Sequence, residues 1–250
     1  MAGCEPVAVT PKETAAWVRA AARNNADWCA AVCRSHHIGG TFGPRAWSSA
    51  RRPPAYFPDA VTLRRDAAPA DLLPRLGASS RAYAVKDSFA ALDLAPHGFA
   101  ELFAARWIHR RAGLAAPASP ALRARPVSTA AGLCDWQRAW HGGERPPDVF
   151  RPALLADPAV LLLAFHDRHG GEELAGGAAL NRGAGVVGVS NLFASGGTDP
   201  AAVWSATVAA AARHFPGLPL VGYEQGDALH EALACGFATL GPLRVWLRHA

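Results

Sequence analysis

The feature that most constrains this chain is a strand–turn–helix–strand run in its C-terminal quarter. Gly185-Val186-Val187-Gly188-Val189-Ser190-Asn191-Leu192-Phe193-Ala194 reads as a strand, and Ser195-Gly196-Gly197-Thr198-Asp199-Pro200 breaks it in small residues. A helical pattern follows from Ala201 to His214, and Leu220-Val221-Gly222-Tyr223-Glu224 reads as a second short strand. A strand that ends in a glycine turn at a helix start presents free amides and the positive end of the helix dipole, which together suit an anionic group.

The rest of the second half supplies the strands such a unit needs. Ala159 to Phe165 is an unbroken apolar run and reads as a buried strand; Leu174 to Asn181 is its hairpin partner across Asp167-Arg168-His169-Gly170-Gly171. Ala130 to Trp140 is helical, with Leu133, Trp136, Gln137 and Trp140 on one side, and Phe150 to Leu155 adds a short helix. After Glu224 the chain gives a helix over Ala228–Ala234, then Cys235-Gly236-Phe237 and a closing strand, Leu243 to Leu247.

The first half is less regular. Thr10-Pro11-Lys12-Glu13 is a helix start, with a capping threonine, proline in the first turn and an acid near the dipole. A second helix is expected to hold Ala26, Trp28, Cys29, Val32 and Cys33, ending near Gly39-Gly40. Thr41 to Pro58 reads as a long ordered loop or lid, Ala60 to Leu63 as a strand, Ala70 to Leu76 as a short helix and Arg81 to Lys86 as a strand. His97 to Arg110 suits either helix or strand, with a strand favoured towards its end, and Gly113 to Arg123 reads as a linker. The expected organisation is therefore an N-terminal lobe over 1–120 and a C-terminal domain over 121–250. Both run from helices into strands, as a pseudo-tandem of two lobes would.

Bulk properties exclude several classes. The net charge is +5 and spread out, and basic residues are almost all arginine, Lys12 and Lys86 being the two lysines. That balance favours an anionic ligand but gives no basic run or RNA-binding signature, so no nucleic-acid partner is expected. No apolar stretch approaches the ~18 residues of a membrane span, and Met1 to Thr10 lacks the pattern of a signal peptide. The odd, scattered cysteines (Cys4, Cys29, Cys33, Cys134, Cys235) suggest reduced thiols and a cytoplasmic protein. Cys29 and Cys33 share a helical face near His36 and His37; a small buried pair is the favoured reading over a zinc or redox site, and no metal is expected.

The order strand, helices, three antiparallel strands, helix, strand, helix, strand over roughly 124–248 resembles the GNAT (Gcn5-related) N-acetyltransferase superfamily, and so do the turn after Ala194 and the Gly236-Phe237 pair. The resemblance implies an α/β (α+β) fold with a mixed, mostly antiparallel twisted sheet flanked by helices. It implies acetyl-CoA or another acyl-CoA as co-substrate, bound between two splayed strands, and an amine of a small molecule or peptide as acceptor. On that footing Leu192, Phe193, Ala194, Ser195, Gly196, Gly197 and Thr198 fall where the family binds its acyl-CoA. Glu224 is the expected base and Asn191 a catalytic or orienting residue. Tyr223, Asp27 and Asp87 are the candidates for acceptor binding. The chain departs from the family pattern in three places: Asp199 and Pro200 stand in the phosphate turn, and Ala232 occupies the position of the family's usual tyrosine acid. Those departures leave a non-catalytic ligand-binding or protein-interaction module as the alternative.

Overall fold

A computed structural model describes residues 10–72, 82–117, 121–143 and 145–249. Cys4 and part of the expected helix over 70–76 and of the expected linker over 113–123 lie outside that set.

The chain begins with a long helix, α1 (Pro11–Ser35), whose start is fixed by a reciprocal box. The Glu13 amide donates to Thr10 Oγ1 at 3.3 Å and the Thr10 amide to Glu13 Oε2 at 2.8 Å. Two helices were expected here, and Asn24-Asn25 falls where the second would begin. The structure instead buries both asparagines inside one helix and satisfies them through tertiary partners. Asn24 Nδ2 donates to the Asn181 and Gly183 carbonyls at 3.0 and 3.2 Å, and Asn181 Nδ2 returns a bond to the Asn24 carbonyl at 3.0 Å. A buried amide without such partners would cost several kcal/mol; with them it locks the helix to the sheet. The approach needs Gly188, where a Cβ would lie 2.0 Å from Asn24 Oδ1.

Three short strands follow, β1 (Gly40–Phe42), β2 (Ala46–Ser49) and β3 (Ala60–Thr62), so the segment expected as loop or lid contains a hairpin. After α2 (Pro69–Leu72) come β4 (Tyr83–Asp87) and β5 (Ala100–Arg110), the latter a strand throughout. The second half contains β6 (Leu122–Pro126), α3 (Ala130–His141), β7 (Val160–Asp167), β8 (Leu174–Gly183) and β9 (Val186–Ala194). It finishes with α4 (Pro200–His214), β10 (Leu220–Glu224), α5 (Gly226–Ala234) and β11 (Ala238–Arg248). The short helix expected over 150–155 is a 3-10 turn, Pro152–Ala156. β6 begins inside the expected linker.

The eleven strands of the described residues join one sheet in the order β1-β2-β3-β4-β11-β5-β10-β9-β8-β7-β6. Only β3–β4 and β9–β10 pair in parallel. β5 and β11, equal in length at 11 residues, run antiparallel at the centre, and strand directions repeat outward on either side of them. The two central strands are exchanged: β5, from the first half, pairs with β10, while β11, from the second, pairs with β4. Residues from the first half are thereby built into the neighbourhood of the second half's parallel pair.

Helices cover both faces. α4 and α5 pack Trp204, Val208 and Ala232 on Leu163, Leu180 and Val187. On the other face Trp28 and Val32 of α1 meet Leu133 and Trp136 of α3 over Leu162 and Ala179. β7 is buried on both sides, which is why its sequence is an unbroken apolar run.

Candidate active site

β9 and β10 are joined for only two positions, Val187 to Leu220 and Gly188 to Val221. Beyond them β9 runs on to Ala194 along β8, and β10 runs on to Glu224 along β5, with no ladder between the two. The divergence has a local cause. Between the pairs Ala179–Ser190 and Gly177–Phe193, β9 takes three steps to two of β8, so β9 carries an extra residue. Such a bulge bends and twists its strand. Asn191 absorbs it at φ +51°, a left-handed conformation that asparagine tolerates better than most residues. Its Oδ1 accepts the Trp28 indole N–H at 3.2 Å, which ties the bulge to α1.

The splay opens into a cavity of about 220 Å³. Ser190, Asn191 and Leu192 form one wall and Tyr223 and Glu224 the other. Asn25, Trp28 and Cys29 of α1 close it from one side, with Tyr56, Phe57 and Lys86. Glu224 is the chemically distinctive group: burial pushes its carboxyl up to about 7, and desolvation is the whole cause. A carboxylate tuned there is half ionised near neutrality and suits proton abstraction. Tyr223 lies edge-on to Trp107, with ring centroids 5.6 Å apart, and its hydroxyl accepts a hydrogen bond from Lys86 Nζ at 3.0 Å.

Past Ala194, Gly196 and Gly197 take φ +60° and +76° and stand in open space, where a side chain would meet nothing but would be strained. The Thr198 amide is used internally, donating to the Ser195 carbonyl at 3.0 Å, and the Ser195 hydroxyl bonds the Leu174 carbonyl. Asp199 caps α4, its Oδ1 accepting from the Ala201 amide at 3.0 Å, with Pro200 in the first turn. The turn therefore offers a helix N-terminus and glycine amides, together with a carboxylate that opposes an anion.

The structure brings Asn191, Leu192, Tyr223 and Glu224 into one cavity. Phe193 instead packs edge-on to Trp136 at 5.1 Å. Ala194 and Ser195 to Thr198 continue from the strand end to α4. Asp27 is not in the cavity; it pairs with Arg23 at 3.0 Å and lies against Gly183. Nor is Asp87, which is buried and accepts the Leu92 and Phe89 amides at 2.8 and 3.3 Å. Cys29 does line the cavity, but burial pushes its thiol up to about 12, so no thiolate forms. Cys33 lies 3.8 Å from the Ser49 hydroxyl, and His36 Nε2 bonds the Val149 carbonyl at 2.8 Å. Among the described residues no group of three histidine, cysteine or acidic side chains is placed to hold a metal.

Lys86, Asn25, Trp28, Tyr56 and Phe57 also line the cavity, although none of them was among the expected site residues. Lys86 carried a signal: it is one of two lysines in a chain that otherwise uses arginine. A larger groove, about 660 Å³, lies between the start of α1, Arg64–Asp66 and Leu240–Pro242. Its one carboxylate, Asp66, is held by Arg64 and Arg45 at 3.0 and 3.4 Å, so it offers no free base. The chemistry converges in the smaller cavity.

No protein-family model matches the chain, and no curated protein does. Solved structures do. A GCN5-related N-acetyltransferase from Kribbella flavida superposes with a TM-score of 0.65 over 94% of this chain and 96% of its own, at 15% identity. A GNAT-family acetyltransferase, described as putative, from Novosphingobium aromaticivorans gives 0.57 over 96% and 99%, at 12% identity. A GCN5-related N-acetyltransferase-like protein from Streptococcus suis gives 0.52 over 96% and 99%, also at 12%. The chain has a GNAT-like fold, and the likeness spans both of its halves.

Proposed function

We propose that this protein is an acyl-CoA-dependent N-acyltransferase that moves an acetyl or other acyl group to an amine by direct attack. The observation that carries the reading is the β9–β10 splay ending on Glu224: two strands with open facing edges and a desolvated carboxylate at the mouth. The residues present fit an acyl-CoA. The edges of β9 beyond Gly188 and of β10 beyond Val221 have unused backbone groups that would hold its peptide-like arm. The amides of Gly196 and Gly197 at the start of α4 would hold its anionic end. When bound, the co-substrate supplies a carbonyl activated as a thioester.

The chain's own residues would do the rest. Walls from both halves hold the acceptor amine at the mouth of the splay, which converts an encounter into a positioned attack. As the amine nitrogen bonds the acyl carbon, Glu224 takes the amine proton, directly or through water; the carbon–sulfur bond then breaks and CoA leaves as the thiol, its sulfur receiving the proton that the amine gave up. Asn191, fixed by Trp28, keeps the bulge and so the width of the cleft. The second half, 121–250, carries the co-substrate cleft, and the first, 1–120, supplies the acceptor wall through α1 and Lys86. Four free described cysteines suit a reducing cytoplasm, where acyl-CoA is available.

A non-catalytic ligand-binding module on the same fold is the second reading, favoured by the Asp199 carboxylate and the missing Pro200 amide in the phosphate turn. Titration with acetyl-CoA and an assay of thiol release against a panel of amines separate the two. Binding with turnover that Glu224→Gln removes supports the enzyme. Binding without turnover supports the module, and no binding by any acyl-CoA overturns both.

A further inference from the structure

Lys86 lies on β4, with two strands, β11 and β5, between it and β10 in the sheet, yet its ammonium reaches the cleft. Its side chain is held there by design of the neighbourhood. Nζ donates to Asn25 Oδ1 at 3.0 Å and to the Tyr223 hydroxyl at 3.0 Å, and lies 4.1 Å from the centroid of the Tyr223 ring. Asn25 is itself buried within α1, and Tyr223 is braced by Trp107, whose indole N–H donates to the Ser88 carbonyl at 2.7 Å. The lysine is 4% exposed. Among the described residues no carboxylate lies within ion-pair distance of it, and its neighbour Asp87 is spent on backbone amides. An ammonium has three N–H groups, and two are used. A buried cation without a counter-charge is expensive to keep, and an anionic ligand at this position would offset that cost.

We propose that Lys86 is the anchor for a carboxylate on the acceptor, so that the substrate class is a small amine that also carries a carboxyl group, an amino acid being the simplest member. This rests on the acyltransferase reading for the amine end: Glu224 and Lys86 line one cavity, with opposite charges that a zwitterion matches. The volume, about 220 Å³, is below the ~300–1,000 Å³ of pockets for larger ligands, which fits a small acceptor or the end of a longer one. Trp28, Tyr56 and Phe57 line the same chamber and favour an apolar side chain on that acceptor.

The test uses the full chain and paired amines: phenylalanine against phenethylamine, which lacks the carboxylate, and phosphoethanolamine against ethanolamine for a phosphate. Thiol release from acetyl-CoA gives kcat/KM, and calorimetry in the presence of CoA gives binding without turnover. The expected result is a preference of about 10- to 100-fold for phenylalanine over phenethylamine, the scale of one charge-assisted hydrogen bond. Lys86→Met should abolish that preference, and Lys86→Arg should retain part of it. Equal use of phenylalanine and phenethylamine by the unmodified protein overturns the assignment, whether or not either variant folds. A stronger preference for the phosphate pair also overturns it. Should no amine be acylated, the acyltransferase reading fails, and the calorimetric comparison still decides the carboxylate: phenylalanine binding no tighter than phenethylamine rejects it.

Discussion

Replacing Glu224 with glutamine should make the protein less active and, at alkaline pH, more stable. Burial raises this carboxyl from 4.5 to about 7. Because the folded-state value is raised, the fold favours the protonated form; stability from this group is full below the unfolded value and is lost as pH rises through about 7. The difference corresponds to about 3 kcal/mol at ~1.36 kcal/mol per unit, reduced to roughly 2 because the side chain opens partly onto the cavity. Glutamine cannot ionise, so Glu224→Gln should gain that amount near pH ~8 and nothing near pH ~4.5. For a chain of this size the gain is a rise in Tm of about 4–8 °C. Any cost of burying the new amide is the same at both pH values, so the pH dependence of the difference is the diagnostic. Thermal unfolding of both proteins across that range measures it, alongside an acylation assay expected to fall about 100-fold or more. A Tm difference that does not vary with pH would refute the claim that Glu224 ionises in a desolvated site.

His109 should show the opposite slope. It is buried against Trp17, rings 4.0 Å apart, and burial lowers its pKa from 6.5 to about 4, with Arg111 adding to the shift. Its contribution is present above the unfolded value and lost as pH falls through about 4, so His109→Phe should flatten the acid limb of stability by up to about 3 kcal/mol. Asp199→Asn keeps the α4 cap but removes a charge from the phosphate turn; acetyl-CoA should bind several-fold more tightly, by about 0.5–1 kcal/mol, with Tm nearly unchanged. Gly188→Ala places a methyl 2.0 Å from Asn24 Oδ1 and 2.5 Å from Asn181 Oδ1 and should cost about 2–4 kcal/mol by denaturant unfolding.

Much of the second half was legible because its signals are local. The run from β9 through the glycine turn, α4 and β10 appears where the sequence places it, down to Leu220–Glu224. Asn191 and Glu224 were singled out through the family resemblance of readable strands, and the structure sets both on the wall of one cavity. What was hidden depends on contacts distant in sequence. One helix running through Asn24-Asn25 is not expected until Asn181, 157 residues away, and Lys86, 61 residues away, are seen to satisfy the two amides. The place of Lys86 was hidden for the same reason: the exchange of β5 and β11 carries β4 and Lys86 to a cleft formed by β9 and β10. Asp27 and Asp87 attracted notice as carboxylates beside apolar elements, yet a surface ion pair and a buried turn use them up. Their neighbours Trp28 and Lys86 are the ones that face the cavity.

The central claim, that the β9–β10 splay receives an acyl-CoA, is most directly tested by amide hydrogen exchange with and without acetyl-CoA. Saturating acetyl-CoA should slow exchange in residues 189–197 and 222–224, where facing strand edges and turn amides have no partner across the splay, and should leave the paired β5–β11 centre unchanged. Protection confined to the groove beside Arg64–Asp66, or no protection in either stretch at saturation, would contradict it.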